Sequence, residues 1–514
     1  MKIMNLTYEQ NEIINCNFDN ILLINAFAGT GKTTTLVEFC KARPNDKILY
    51  LCYNRGLKEE AIEKFKDLNN VKVSTIHSIA YNSIGFNFKQ RLGNLRPYDL
   101  SIYYQNSAIK YYYGFYSLLI LHDFLNSSDN FNYYINEYLP KNIDNLLKGY
   151  PNRNNNLLIN GFKKIWNDIL NSESIKVEHD VYLKLFQLNN PDLNIYDYIL
   201  VDEAQDVNLC MLDIVLKQKT KKVFIGDSFQ QIYQWRGSKN TFKLLESEKD
   251  KINLSLTGSF RCAKNITDIA NNYLKVLGAD TVIEGLNKKR TNLDNVTIIG
   301  RTNASIMRYT IENKGSIYYV GGFDSYSYGL LLDINYLYYN EINKISNSFI
   351  KLFTNHNELV KYSTEGSDIE IKNIIKLFED IISGKININT YRGVDDIEQL
   401  VKLLKKEASI DYLYSDYAIT TAHKSKGLEW QNIVLLDDFI NVSFMDTNDL
   451  FLCFKFIFNK NDVKIKLNYL EELYQELNIL YVASTRAKQK IIINDKYILN
   501  QQCLNYILEN IITL

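Results

Sequence analysis

The sequence predicts an α/β protein with mainly parallel sheets, and two observations carry that prediction. Short apolar runs of strand length recur at the beginning, middle and end of the chain, separated by stretches of helical periodicity. Two of these runs lead straight into turns rich in chemistry: a glycine-containing turn after Ile21–Asn25 and an acidic pair after Tyr198–Val201. Open parallel sheets put their ligands at the carboxyl ends of strands, where both turns lie.

Taken in order, Ile21–Asn25 precedes Ala26-Phe27-Ala28-Gly29-Thr30-Gly31-Lys32-Thr33, and a helical run opens at Thr33. This fits the P-loop pattern with Ala26 in place of the first glycine. Gly29 and Gly31 let backbone N–H groups turn inward around phosphates. Lys32 brings a point charge to the β and γ phosphates, and the Thr33 hydroxyl suits Mg²⁺. The motif alone leaves one alternative, a Gly-rich helix N-terminus with a solvated lysine. Lys47–Cys52 is the next strand-like run. Residues 86–190 are rich in Tyr and Asn at helical spacing and read as an inserted helical subdomain. Within them Asn152, Arg153, Asn154, Asn155 and Asn156 follow Pro151 and are expected to form an exposed loop. Tyr111, Tyr112 and Tyr113, with Lys89, Arg91, Arg96 and Lys110, form either nucleic-acid contacts or a packed, solvated helical face.

Tyr198–Val201 ends at Asp202-Glu203-Ala204-Gln205-Asp206. Asp202 is placed to hold Mg²⁺ through water, and Glu203 to orient and deprotonate an attacking water. A capped, solvated turn of acids is the competing reading. Val223–Ile225 leads into Gly226–Gly237, which presents Asp227 and Gln230, then Tyr233 and Trp235, then Arg236. Amides and acids suit phosphate and metal chemistry; flat rings and a guanidinium suit the bases and phosphates of a single strand. Candidate cations for a γ-phosphate in transfer are Arg261 and Arg486, with solvated surface arginines as the alternative. Residues 324–415 are again mostly helical, as in Asp368–Ile382, while Ile433–Leu436 and Lys490–Ile493 are late strand-like runs.

The bulk numbers bound the class. At 514 residues and 46% hydrophobic content, several domains are expected. No apolar run approaches the roughly 18 residues of a membrane span, and the N-terminus has no signal-peptide core. Seven scattered cysteines with no Cys-x-x-Cys pair argue against zinc and against a disulfide framework, and for a reducing interior. The charge balances at 59 basic against 59 acidic residues, so any nucleic-acid groove must be a local feature.

In order, these segments resemble superfamily 1 helicases of the UvrD/Rep type. The resemblance covers both ends and the middle of the chain. Gln10 stands where that family reads adenine. Tyr53-Asn54-Arg55 and Thr75-Ile76-His77-Ser78 are similar to two early DNA-contacting motifs, and Val201–Asp206 to the Mg²⁺/water motif. Gly226–Gly237 resembles the coupling motif, and Phe260-Arg261 the segment that stacks on adenine and reaches γ-phosphate. Thr421–Trp430 resembles the fifth motif, whose glutamate, here Glu429, contacts ribose. Tyr481–Ala487 resembles the last motif, with Arg486 as the arginine finger. The versions at Ile24–Thr33, His179–Lys184 and Glu476–Ala483 look most like the F-box DNA helicase group. The sequence opens almost at the adenine-reading segment, so no F-box is expected in it. Phe260 replaces the usual Tyr, and the second insertion is short.

The resemblance implies two RecA-like P-loop NTPase lobes, each with an inserted helical subdomain. The expected division is 1–85 plus 191–250 for the first lobe and 86–190 for its insertion (1B). The second lobe takes 251–323 plus 416–514, and its short insertion (2B) takes 324–415. ATP and Mg²⁺ are the implied ligands. The implied catalytic residues are Lys32, Asp202, Glu203, Gln230, Arg261 and Arg486. Ala26 to Thr33, Gln10, Phe260 and Glu429 would bind nucleotide, with Thr33 and Asp202 on the metal. Tyr53, Asn54, His77, Tyr233, Trp235, Arg236 and His423 would meet DNA. The expected activity is 3′→5′ movement on single-stranded DNA with separation of tailed duplexes. The alternatives are a translocase that strips bound proteins and a nucleotide-gated DNA-binding subunit. Recombination or replication proteins are the expected partners of a monomer that touches no membrane. A soluble, DNA-associated place is expected, in the cytoplasm of a microbe or virus-infected cell or in a nucleus.

Overall fold

The structure is a computed structural model, and it describes residues 6–105, 110–147, 153–232, 241–288, 296–365, 369–440 and 463–498. The chain divides into two compact units: Met1–Ala26 with Gly31–Leu256, and Phe27–Thr30 with Thr257–Leu514. Each is built on a parallel sheet.

The first sheet contains β1 (Ile21–Ala26), β2 (Ile48–Cys52), β3 (Val71–Thr75), β4 (Tyr198–Val201), β5 (Lys221–Gly226) and β6 (Lys251–Leu256). Their order is β3-β2-β4-β5-β1-β6, all parallel. Side chains alternate across a strand, so each run must be apolar on both faces when both are covered. β1 shows this directly. Ile21 and Leu23 enter one core with Leu49, Ile199 and Phe224, while Leu22 and Ile24 enter another with Phe39, Tyr50 and Val223. Each such buried aliphatic side chain contributes about 1.5–3 kcal/mol. The first unit runs on to Leu256 because β6 pairs with β1 from Ile21 to Ala26.

Four helices frame the early strands: α1 (Tyr8–Asn15), α2 (Lys32–Lys41), α3 (Arg55–Phe65) and α4 (Ile76–Ser83). Thr7, Asn54 and Thr75 cap α1, α3 and α4 through side-chain oxygens that accept orphan N–H groups. The stretch between α4 and β4 is helical and has its own core, in which Tyr104 stacks on Tyr113 at 5.1 Å and Phe131 on Trp166 at 5.6 Å. Tyr113 is therefore a packing residue, and Arg91 caps carbonyls of Ile169 and Ile175. The loop expected after Pro151 is shorter than its polar run suggests. Pro151 and Asn152 lie outside the described residues, and Asn154 caps a helix that already includes Asn155 and Asn156. An Asn run reads as loop by composition, yet Asn is also a strong N-cap.

The second sheet has the order β11-β10-β12-β9-β13-β14, again parallel. Apart from it, β7 (Gly258–Ser259) pairs with β8 (Glu284–Gly285). The sheet strands are β9 (Val296–Gly300), β10 (Ile317–Tyr319), β11 (Ala408–Ser409), β12 (Tyr417–Thr421), β13 (Trp430–Leu435) and β14 (Ala487–Ile492). Between β10 and β11 the chain is helical, with Tyr328–Tyr338, Ile369–Ile382 and Ile397–Glu407 sharing one core with β9, β10 and β12. β11 lies within the stretch expected to be mostly helical and adds a short edge strand beside β10. Trp430 is buried at the start of β13.

Candidate functional site

In the first unit the carboxyl ends of β1, β4 and β5 converge chemically. α2 opens at Lys32, one residue after Gly31 at φ +83°. The Lys32 Nζ lies 3.1 Å from Glu203 Oε1. Asp202, just past β4, accepts the Tyr50 hydroxyl at 2.5 Å and the Glu203 N–H at 2.9 Å. Glu203 sits at φ +51°, a left-handed conformation that costs a non-glycine residue about 1–3 kcal/mol. Gln205 bridges the turns: its Nε2 donates to Glu203 at 2.6 Å, and its Oε1 accepts the Asp227 N–H at 3.1 Å. Asp227 in turn accepts the Gln230 Nε2 at 2.8 Å.

Charge explains the balance of this cluster. Burial penalises the Lys32 ammonium, but Glu203, Asp202 and Asp227 outweigh it and hold its pKa above the ordinary lysine range. Burial and the Glu203 charge push the Asp202 carboxyl up, opposed by Lys32 and the Tyr50 hydroxyl. Burial, then Asp202, drives the Tyr50 phenol well above its usual value, so it stays a donor. One ammonium faces three carboxylates, an excess of negative charge that suits a hard divalent cation. Among the described residues no three His, Cys, Asp or Glu side chains form a ready-made metal cage.

Gln10 is 2% exposed beside α2. Its Oε1 accepts the Thr7 N–H at 3.0 Å, and its Nε2 donates to Thr35 Oγ1 at 3.1 Å. The adenine-reading candidate is thus engaged in a capping box and in positioning α2.

The second unit includes the P-loop tip, Phe27–Thr30. Ala28 donates its N–H to the Tyr481 hydroxyl at 3.2 Å, and its carbonyl accepts the Ser259 hydroxyl at 2.7 Å. The Phe260 N–H donates to the Gly29 carbonyl at 2.9 Å. Gly29 has φ +72°, and a Cβ there would lie 2.4 Å from Arg261 Cβ, so only glycine fits. Phe260 leaves 47% of its surface exposed. Arg261 Nε donates to Glu429 at 2.7 Å, and Lys488 pairs with the other Glu429 oxygen at 2.5 Å. Burial alone would raise the Glu429 carboxyl; Lys488 and Arg261 overcome it and hold it below the usual range. Arg486 is 1% exposed, with Nε on the Val482 carbonyl at 2.9 Å and Nη1 on the Leu428 carbonyl at 3.2 Å. The expected arginine finger is therefore turned onto backbone carbonyls in this arrangement.

Residues 6–251 match the family described as the UvrD/REP helicase N-terminal domain. Over these residues the chain belongs to the UvrD/Rep helicase family. The F-box DNA helicase protein 1 of Schizosaccharomyces pombe is 30% identical, with 95% of this chain and 57% of that protein aligned. The F-box DNA helicase 1 of Gallus gallus is 29% identical over 95% of this chain and 49% of its own length. The ATP-dependent DNA helicase PcrA of Leuconostoc citreum is 40% identical over 15% of this chain and 11% of its own. The chain thus spans about half the length of the F-box relatives. The α/β architecture with parallel sheets agrees with the RecA-like lobes of the UvrD/Rep family. No helix among the described residues is long and apolar enough to cross a membrane.

The candidate strand contacts are placed as follows. Tyr53, half-buried, and Asn54, exposed, follow β2, and Asn54 spends its carboxamide oxygen on the Leu57 N–H at 2.9 Å. His77 lies in the first turn of α4, and His423 follows β12, half-buried. Tyr233, Trp235 and Arg236 lie outside the described residues. Several site residues escape a sequence reading. Gln205 and Tyr481 stand inside recognisable motifs, but nothing in the pattern marks their bonds. Tyr50, Ser259 and Lys488 carry no local signal, since only the fold brings them to Asp202, Ala28 and Glu429.

Proposed function

We propose that the protein is an ATP-hydrolysing DNA helicase that moves 3′→5′ on single-stranded DNA and separates duplex strands. The observation that carries this reading is the gathering of Lys32, Asp202, Glu203 and Asp227 at the ends of β1, β4 and β5. The DNA-helicase names of the relatives support it. Lys32 would hold the β and γ phosphates, with the N–H groups of the P-loop turned toward them. Glu203, fixed by Gln205, would orient the attacking water and take its proton. Gln230, tied to Asp227, would report the γ-phosphate to Tyr233, Trp235 and Arg236, which follow it in sequence. Phe260 would stack on adenine, and Arg261 and Arg486 would stabilise the transferring phosphoryl group after leaving their present acceptors. Mg²⁺, held by Thr33 and Asp202, would neutralise charge on the phosphates. Tyr53, Asn54, His77 and His423 complete the proposed strand contacts.

The division into two RecA-like lobes with insertions at 86–190 and 324–415 belongs to the same proposal, as do a monomeric state and replication or recombination partners. The test is displacement of a labelled strand from 3′-tailed and 5′-tailed duplexes. Displacement from 3′ tails alone is expected, and Lys32→Ala should lower it by about 100-fold or more, because positioning and charge supply most of phosphoryl-transfer catalysis. Displacement from 5′ tails alone, or full activity in the variant, overturns the reading.

A further inference from the structure

His77 is held by a carboxylate from a segment that no motif reading assigns to the site. Its Nε2 lies 2.8 Å from Asp180 Oδ1. Asp180 belongs to the helix His179–Leu188, which closes the helical stretch before β4, whereas His77 stands in the first turn of α4, just after β3. The imidazole is also braced by a ring, with Tyr182 edge-on at 6.3 Å. Tyr182 is itself fixed by Tyr81 at 5.7 Å and by the His179 Nδ1 at 3.0 Å from its hydroxyl. Burial would raise the Asp180 carboxyl, but the His77 hydrogen bond, joined by the charges of His77, His122 and His179, outweighs it and holds the group below the ordinary range. The pair is thus a carboxylate and an imidazole in a strong hydrogen bond. The His77 side chain still keeps 27% of its surface open.

A carboxylate only accepts, so Nε2 must carry a proton, and Nδ1 is the nitrogen left for another partner. We propose that Asp180 is a positioning residue for DNA binding: it sets the tautomer and ring plane of His77 so that Nδ1 meets the tracking strand. This rests on the reading of His77 as a strand contact. Asp180 itself touches no nucleic acid. The helix His179–Leu188 thereby contributes to strand binding through His77, and not only to packing.

The experiment uses the full chain and a fluorescein-labelled oligo-dT, read by anisotropy, for the wild type, Asp180→Asn, His77→Ala and the double variant. Asparagine keeps the shape of aspartate but offers either an oxygen or an NH₂ group, so it no longer dictates which imidazole nitrogen is protonated. Asp180→Asn should weaken binding about 5- to 10-fold, the worth of one hydrogen bond, with the thermal midpoint unchanged. The double variant should bind no more weakly than His77→Ala alone, because Asp180 acts only through His77. Wild-type affinity in Asp180→Asn beside weakened binding in His77→Ala overturns the positioning role and leaves His77 as a contact. A double variant weaker by the product of the single effects also overturns it. Unchanged binding in His77→Ala overturns the strand-contact reading of His77 and this proposal with it.

Discussion

Glu203 shows how much of a site depends on one backbone angle. Its φ of +51° turns the carboxylate toward Lys32, and Gln205 holds the other oxygen. Such strain persists only where neighbours over-determine it, and here the Asp202, Gln205 and Asp227 bonds do so. The residue types of this cluster are legible in the sequence; the angle is not. Gln10 and Arg486 mark the opposite limit, because their motif positions stand out while their present partners, Thr35 and the Val482 and Leu428 carbonyls, do not. Lys184 lies on the helix His179–Leu188. It is fully buried, donates to the Ser127 carbonyl at 2.8 Å, and burial lowers its pKa to about 8. The sign follows from linkage. Between about 8 and the unfolded value near 10.4 the unfolded chain binds more protons, so this lysine's contribution to stability rises with pH. From pH 7 to 9 the gain is roughly 1 kcal/mol. Urea midpoints of the wild type and Lys184→Met across that range should converge or cross by that amount, and parallel curves contradict it.

At the scale of elements, legibility tracks burial on both faces. β1, β2, β4 and β5 are central or nearly so and read as apolar runs. β3 and β6 are the two edges of the first sheet and carry Lys72, Asn253 and Ser255, which break the pattern because one flank is uncovered. β12 is fully buried yet includes two threonines, so its run does not stand out. In the helical stretch the abundant tyrosines are largely core, and a glycine sets one of its closest approaches. The helix Lys110–Asn126 passes the helix Pro97–Ser101 at Gly114, where a Cβ would lie 2.1 Å from the Pro97 carbonyl oxygen. Gly114→Ala is expected to destabilise this packing by about 1–3 kcal/mol, since backbone cannot yield as a flexible side chain can. Chemical denaturation of the full chain measures it, and an unshifted midpoint contradicts the close approach.

At the scale of the molecule, balanced charge means that DNA affinity has to come from local groups and from stacking. Trp235 is the residue on which the coupling proposal depends most. Base–aromatic stacking is worth about 1–3 kcal/mol per base, so Trp235→Ala should raise the DNA concentration for half-maximal ATPase stimulation about tenfold while nucleotide binding is retained. Loss of binding to a fluorescent ATP analogue in that variant would show that the segment serves the nucleotide alone.

The sequence by itself determined the α/β class, the P-loop, the acidic turn and the order of the motifs, because these depend on local periodicity and on residues adjacent in the chain. Only the tertiary structure decided that Tyr50 donates to Asp202, that Tyr481 and Ser259 grip Ala28, that Lys488 shares Glu429 with Arg261, and that Asp180 holds His77. Each of these joins residues distant in sequence whose approach is set by sheet order and helix packing, and a hydrogen bond leaves no periodic trace in the chain that folds to make it.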